Sequence, residues 1–180
     1  MTRIKWTDRT FDFNFTVGLY PELIERLRGV PARLDEHCHN VPRSVLTFQH
    51  DGRWSIQENA GHLLDLESLV QQRIGEYVSG AEVLHAADMS NRKTFDASHN
   101  DAAIETILHN FRRERMTTVE QLANLDSQIF GRVALHPRLN VNMRLVDMLF
   151  FQAEHDDYHL TRISELRSEL LGARDMSDML

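Results

Sequence analysis

The chain has little of what marks a secreted or membrane-bound protein. A single cysteine, Cys38, stands among 180 residues. No intrachain disulfide can form, which fits a reducing, cytoplasmic compartment. Apolar runs are short: the longest, Met148-Leu149-Phe150-Phe151, falls far below the roughly 20 residues that span a bilayer. Residues 1–20 carry Arg3, Lys5, Asp8, Arg9 and Asp12 and lack the apolar centre of a signal peptide, so no secretory leader is expected. Positive charge is scarce too, with 20 Lys and Arg against 27 Asp and Glu, a net charge of −7. A nucleic-acid or anionic-membrane surface draws on clustered positive charge, so neither partner is expected. Arg112, Arg113 and Arg115 come nearest to a patch, and a solvated helix face accounts for them. Only 4 prolines and 8 glycines punctuate the chain. With no repeat, low-complexity tract or Gly/Ser-rich linker, residues 1–180 read as one domain. The absence of a Gly-rich phosphate loop leaves nucleotide binding without support. What the chain has in excess is histidine, ten of them.

Helical periodicity organises what lies between the few breakers. A first helix starts near Tyr20-Pro21, where proline is tolerated, and places Leu23, Leu27, Val30 and Leu34 on one face. Gly29 and Pro31 should kink it, because Pro31 lacks an amide donor and crowds the preceding turn. Ser55-Ile56-Gln57-Glu58 forms a capping box that opens a second helix, on which Ile56, Asn59, Leu63, Leu66, Val70, Ile74 and Tyr77 trace a stripe. Ser55 is therefore a cap and not a nucleophile, since no serine-centred elbow surrounds it. A third helix is predicted from about Asp101 to Leu125, with Ile104, Leu108, Phe111, Val119 and Leu122 facing in. A fourth runs from about Asn142 to Leu171, its stripe made of Leu145, Met148, Gln152, His155, His159, Ile163, Leu166 and Leu170. The pattern predicts an all-α four-helix bundle. About 15 residues separate helices one and two and about 20 separate helices two and three, lengths that are functional or hold small extra elements. Residues 1–16, with Phe11-Asp12-Phe13-Asn14-Phe15 alternating, read as an extended arm laid on the bundle. Residues 172–180 read as a frayed tail. Gln128 to Asn140 allows a short hairpin, against which Pro137 argues.

Two of the histidines, His155 and His159, are four apart in the strongest helical pattern, so neighbouring turns point both imidazoles the same way. A chain this rich in histidine supplies such a pair by chance about as often as not. The apolar face they occupy is the stronger signal, because buried imidazoles need partners. His62 lies on the second helix, in line with Asn59, Leu66 and Leu69, and is the third candidate. Asp65, one turn on, is placed to orient an imidazole or a bound water. Three histidines with a vacant position make an open site, where a metal acidifies a water or binds a thiolate. Spacing leaves two readings open: a metal site, or core histidines in a hydrogen-bond network. His37-Cys38-His39 faces apart on a helix and has no partner motif, and Cys38 reads as a small buried filler. His136 could reach a bundle-end site but reads as a surface histidine.

Three passages carry a resemblance. They are Phe15 to Leu34, with Tyr20-Pro21-Glu22-Leu23; Trp54-Ser55 followed by His62-Leu63-Leu64-Asp65; and Met143-Arg144-Leu145 followed by Glu154-His155-Asp156-Asp157-Tyr158-His159. Over about residues 15 to 170 the sequence resembles the DinB-like superfamily of small helical metal-binding proteins, which includes the YfiT-type proteins. The resemblance implies a four-helix bundle with an unusual connection order and a metal at one end. The family's three histidine ligands fall on His62, His155 and His159, and the divalent ion implied is zinc or nickel first, iron or manganese after. A homodimer is also compatible with it. Characterised relatives include transferases and isomerases that use a low-molecular-weight thiol, while others are labelled metal-dependent hydrolases. On the first pattern the ion lowers the pKa of a cosubstrate thiol, which attacks a small electrophile. On the second it activates water against an ester or amide, with Asp65 or Glu154 relaying the proton. Thiol transfer is favoured because no well-placed general base stands out. In a third reading the metal only stabilises a non-catalytic helical module.

Overall fold

The computed structural model describes residues 4–49 and 52–177. Helices α1 (Tyr20–Arg28) and α2 (Val30–Cys38) together form the first member of a four-helix bundle, and the short α3 (Arg43–Leu46) leads to the second, α4 (Ile56–Ser79). The short α5 (Arg92–Asp96) lies in the connection to the third, α6 (Ile104–Ala123). A hairpin of β1 (Val133–His136) and β2 (Val141–Arg144) runs directly into the fourth, α7 (Leu145–Ser177). None of the described helices is long and apolar enough to cross a membrane.

The predicted kink is a break at Gly29. Pro31 cannot donate to the carbonyl of Leu27 four residues back, and Arg115 Nη1 donates to that oxygen instead, at 3.3 Å. The capping box at Ser55 and Glu58 is formed as expected. At the other end of α4, Gly80 takes a left-handed conformation, φ 76°, and Ala81 N–H donates to Glu76 O at 2.9 Å, a closure that only glycine adopts without strain.

α4 packs on α6 and α7, and α1 and α2 pack on the same two helices. The first and second bundle members therefore stand across the bundle from each other, and the chain must cross a diagonal to join them. That crossing explains the length of the connection holding α3. Leu27, Val30 and Leu34 from the first member and Ile56, Leu63 and Ile74 from α4 are almost fully buried, as are Phe111 of α6 and Ile163 of α7.

The fourth helix begins at Leu145, not near Asn142. Val141–Arg144 instead pair antiparallel with Val133–His136, and Pro137 occupies the turn, where no ladder bond is lost. From Leu145 to Leu160, α7 is buried on almost every side, and its one-sided stripe emerges only beyond that. The helix continues to Ser177; residues 178–180 of the expected tail lie outside the described residues, as do residues 1–3 of the arm. The rest of the arm is extended apart from a 3-10 turn at Trp6–Asp8. Arg144 Nη2 donates to the carbonyls of Phe13 and Phe15 at 2.9 and 3.0 Å, and the rings of Trp6 and Phe11 lie 5.0 Å from Phe151.

One basic residue departs from the solvated-face expectation. Arg112 and Arg113 are exposed, but Arg115 is fully buried. It donates to Glu67 at 2.6 and 2.9 Å and to Asp156 at 2.6 Å, tying α6 to α4 and α7. Burial works against its charge, and the two carboxylates more than offset that.

Candidate metal centre

His62 projects from the second turn of α4, and His155 and His159 from successive turns of α7. Their rings converge, with centroids 5.4 Å apart for His62 and His155, 4.8 Å for His62 and His159, and 4.6 Å for His155 and His159. One donor atom from each lies within 4.8 Å of the others, and all three residues are buried.

The supports around the rings define which nitrogens face inward. Asn59 uses its amide to donate to Ser55 O at 2.7 Å, which leaves its oxygen to accept from His159 Nδ1 at 2.9 Å. That bond holds the proton on Nδ1 and the lone pair on Nε2. His62 Nδ1 lies 3.1 Å from the hydroxyl of Thr94, contributed by α5 from the long second connection. His155 Nδ1 is buried with no hydrogen-bond partner among the described residues, while the Trp6 ring meets the imidazole edge-on at 5.0 Å. Burial, with the neighbouring His155 next, pushes His62 down to about 3. Burial, with Arg115 and Arg138, does the same to His155, also to about 3. Both imidazoles are therefore neutral at pH 7, the form that ligates a metal. Three converging imidazoles, two of them held neutral by burial, and an orphaned buried nitrogen fit a borderline divalent ion such as zinc or nickel.

The two carboxylates singled out from sequence stand elsewhere. Asp65 is buried on α4, and its Oδ2 accepts from His99 Nε2 at 2.8 Å, so it orients an imidazole outside the cluster. Glu154 is half-buried, ion-paired to Arg26 at 2.7 Å and to Arg9 at 3.8 Å. His136 is not a surface histidine: it is 2% exposed, accepts from Leu139 N–H at 3.2 Å, and lies outside the three-histidine cluster. Cys38 is buried, as expected for a filler, and burial lifts its thiol to about 12.

Sequence reasoning missed His99 and Thr94, both in the connection between α4 and α6. Gly61 was a signal for the first. A methyl group there would sit 2.2 Å from the His99 ring, so the helix needs glycine to let that imidazole approach. The histidines border a cavity of about 240 Å3 whose apolar wall includes Trp6, Trp54, Leu66, Leu69 and Phe151. Arg73, His136 and Arg138 border it as well. The arrangement offers three imidazole nitrogens on one side of a small, largely apolar cleft.

A family model described as the DinB superfamily matches residues 26–163. Among solved structures, the chain is similar to YfiT from Bacillus subtilis, described as a probable metal-dependent hydrolase with an unusual four-helix bundle topology. That likeness has a TM-score of 0.77 and 20% identity, and covers 91% of this chain and 94% of that one. A mycothiol-dependent maleylpyruvate isomerase is similar at a TM-score of 0.65 and 9% identity, over 85% of this chain; the match spans 62% of the isomerase's length. At these identities the likeness is one of fold. No curated protein matches the sequence.

Proposed function

Because the chain belongs to the DinB superfamily, we propose that it is a metal-dependent enzyme that transfers a low-molecular-weight thiol to a small electrophile. His62, His155 and His159 would hold one divalent cation, zinc or nickel before iron or manganese. A cation bound there would supply Lewis acidity, enough to lower the pKa of a thiol that reaches it. Asn59 and Thr94 fix the imidazoles of His159 and His62, while Trp6 and Trp54 keep the cleft dry and hold the apolar part of the substrate. The thiol gives its proton to solvent, and its sulfur forms a bond to the electrophilic carbon. The displaced electron pair leaves with a halide, or stays on an epoxide oxygen or an unsaturated carbon that then takes up a proton.

The observation that carries this reading is where the carboxylates are. Asp65 is bound to His99 and Glu154 to Arg26 and Arg9, so neither is placed as a free general base for water. A second reading, a hydrolase acting through an activated water, is favoured by the shared fold with YfiT, itself described as a probable metal-dependent hydrolase. A purely structural metal is less well supported, because structural sites close with four protein ligands and three donors gather here among the described residues.

Protein purified without added metal is expected to hold about one divalent ion per chain, lost in His62→Ala, His155→Ala and His159→Ala; metal content unchanged in all three would overturn the centre. Conjugation of an epoxide, halide and unsaturated-acid panel should need both metal and added thiol, whereas turnover of esters or amides with metal and no thiol would move the assignment to hydrolysis. Chelation that collapses the melting temperature would favour the structural role.

A further inference from the structure

Arg138, in the turn between β1 and β2, borders the same cavity. Its guanidinium lies 6.0 Å from the Trp6 ring centroid and 5.4 Å from that of Phe151, so two aromatic faces hold it in place. Among the described residues its buried Nη2 has no hydrogen-bond partner, and no carboxylate stands within ion-pair distance of it. Its neighbours do not supply the missing anion. Arg73 is already committed, donating through Nε and Nη2 to His85 O at 3.0 and 2.8 Å, with Nη1 3.4 Å from His136 Nε2. Asp88, the acid that borders the cavity, is exposed and occupied by its own loop, accepting from Ser90 N–H and Ser90 Oγ at 2.9 and 2.6 Å and from Arg92 N–H at 3.0 Å.

A partly buried guanidinium without a counter-ion works against the fold, and an anion arriving from solution would remove that cost. The Trp6 ring that Arg138 overlies is also the ring that meets His155. Cation and histidine cluster therefore both lie against one indole and border one cavity, so a single small molecule in that cavity can meet both. We propose that Arg138 binds the carboxylate of the substrate whose other end meets the three-histidine centre, making an acidic, largely apolar small molecule the preferred substrate class. This rests on the metal-enzyme reading. The carboxylate could belong to the thiol or to the electrophile, and the chemistry at Arg138 is the same.

The test uses the zinc-loaded protein, with calorimetry and quenching of tryptophan fluorescence as readouts. In one arm 4-(mercaptomethyl)benzoate is compared with its carboxamide; in the other 4-methylbenzoate is compared with 4-methylbenzamide in the presence of benzyl mercaptan. An acid preference of about tenfold or more is expected in at least one arm, as a charge-assisted bidentate contact provides. The arm that shows it tells whether thiol or electrophile carries the acid. Arg138→Gln should abolish the preference and leave the affinity for the neutral compounds unchanged, Arg138→Lys should keep part of it, and neither should lower the melting temperature. Equal binding of acid and amide in both arms, or an acid preference that survives in Arg138→Gln, overturns the proposal. The second arm is repeated with metal removed and benzyl mercaptan left out. A preference persisting there while the protein takes up no zinc would sink the metal reading and leave the anion site standing.

Discussion

Asn59 spends its amide hydrogens on the end of its own helix and its oxygen on His159. An alanine there leaves the ring free to turn and the Nδ1 proton unpaired. Asn59→Ala is expected to weaken metal binding about 10- to 100-fold, the usual cost of losing such a support, as read by competition with a chromophoric chelator; an unchanged affinity would show that the oxygen does not orient the ring. The buried imidazoles also set a pH dependence. His62 and His155 are pushed down to about 3 and His136 to about 4, in each case mainly by burial. Unfolded, each binds a proton near its ordinary value of about 6.5. Below that value the unfolded chain binds more protons than the folded one, so folding stability is complete above about pH 6.5 and falls as the pH drops toward the folded values. The slope approaches about 1.4 kcal/mol per pH unit for each group. Urea unfolding of the chelated protein at pH 7.5, 6.0 and 5.0 should show the decline, and a flat series would contradict it.

Between elements, the firmest contacts are polar and far apart in sequence. Arg115 on α6 reaches Glu67 on α4 and Asp156 on α7. Arg115→Ala strands two carboxylates in the interior and should cost about 3–5 kcal/mol, measured by chemical unfolding; a loss under 1 kcal/mol would mean that water reaches them. Gly61→Ala puts a methyl group into the His99 ring and should cost about 1–3 kcal/mol through overpacking and the strained Asp65 contact. A melting temperature equal to that of the parent would show that the loop simply moves aside. These contacts mark the limit of what the sequence makes legible. The Ser55 cap, the break near Pro31 and the shared face of His155 and His159 depend on residues within a turn or so of each other, and periodicity exposes them. Arg115, His99 and Arg138 look like any polar residue until a partner distant along the chain, or the lack of one, is known. The start of α7 departs from the periodicity for the same reason: Val141–Arg144 continue a helical pattern, but β1 claims them. His62 could be aligned with the α7 pair by its stripe, while Thr94, in a stretch with no period to read, could not.

At the scale of the molecule, the arm closes one side of the cavity. Trp6 and Phe11 cover Phe151, and Trp6 meets His155. Deleting residues 1–16 uncovers those rings, and the melting temperature should fall by about 5–10 °C while the far-ultraviolet helical signal persists. A fall in helicity on the same scale would mean that the arm is needed to fold the bundle. The diagonal order of the helices has a further consequence, for biosynthesis. His62 emerges early from the ribosome, with Thr94 soon after, but the two partner imidazoles lie on α7. A nascent chain ending before residue 155 offers one imidazole and half a cleft. The long-range closure of α7 against α4 must come first, so any cation the site takes is captured by a bundle that has already closed.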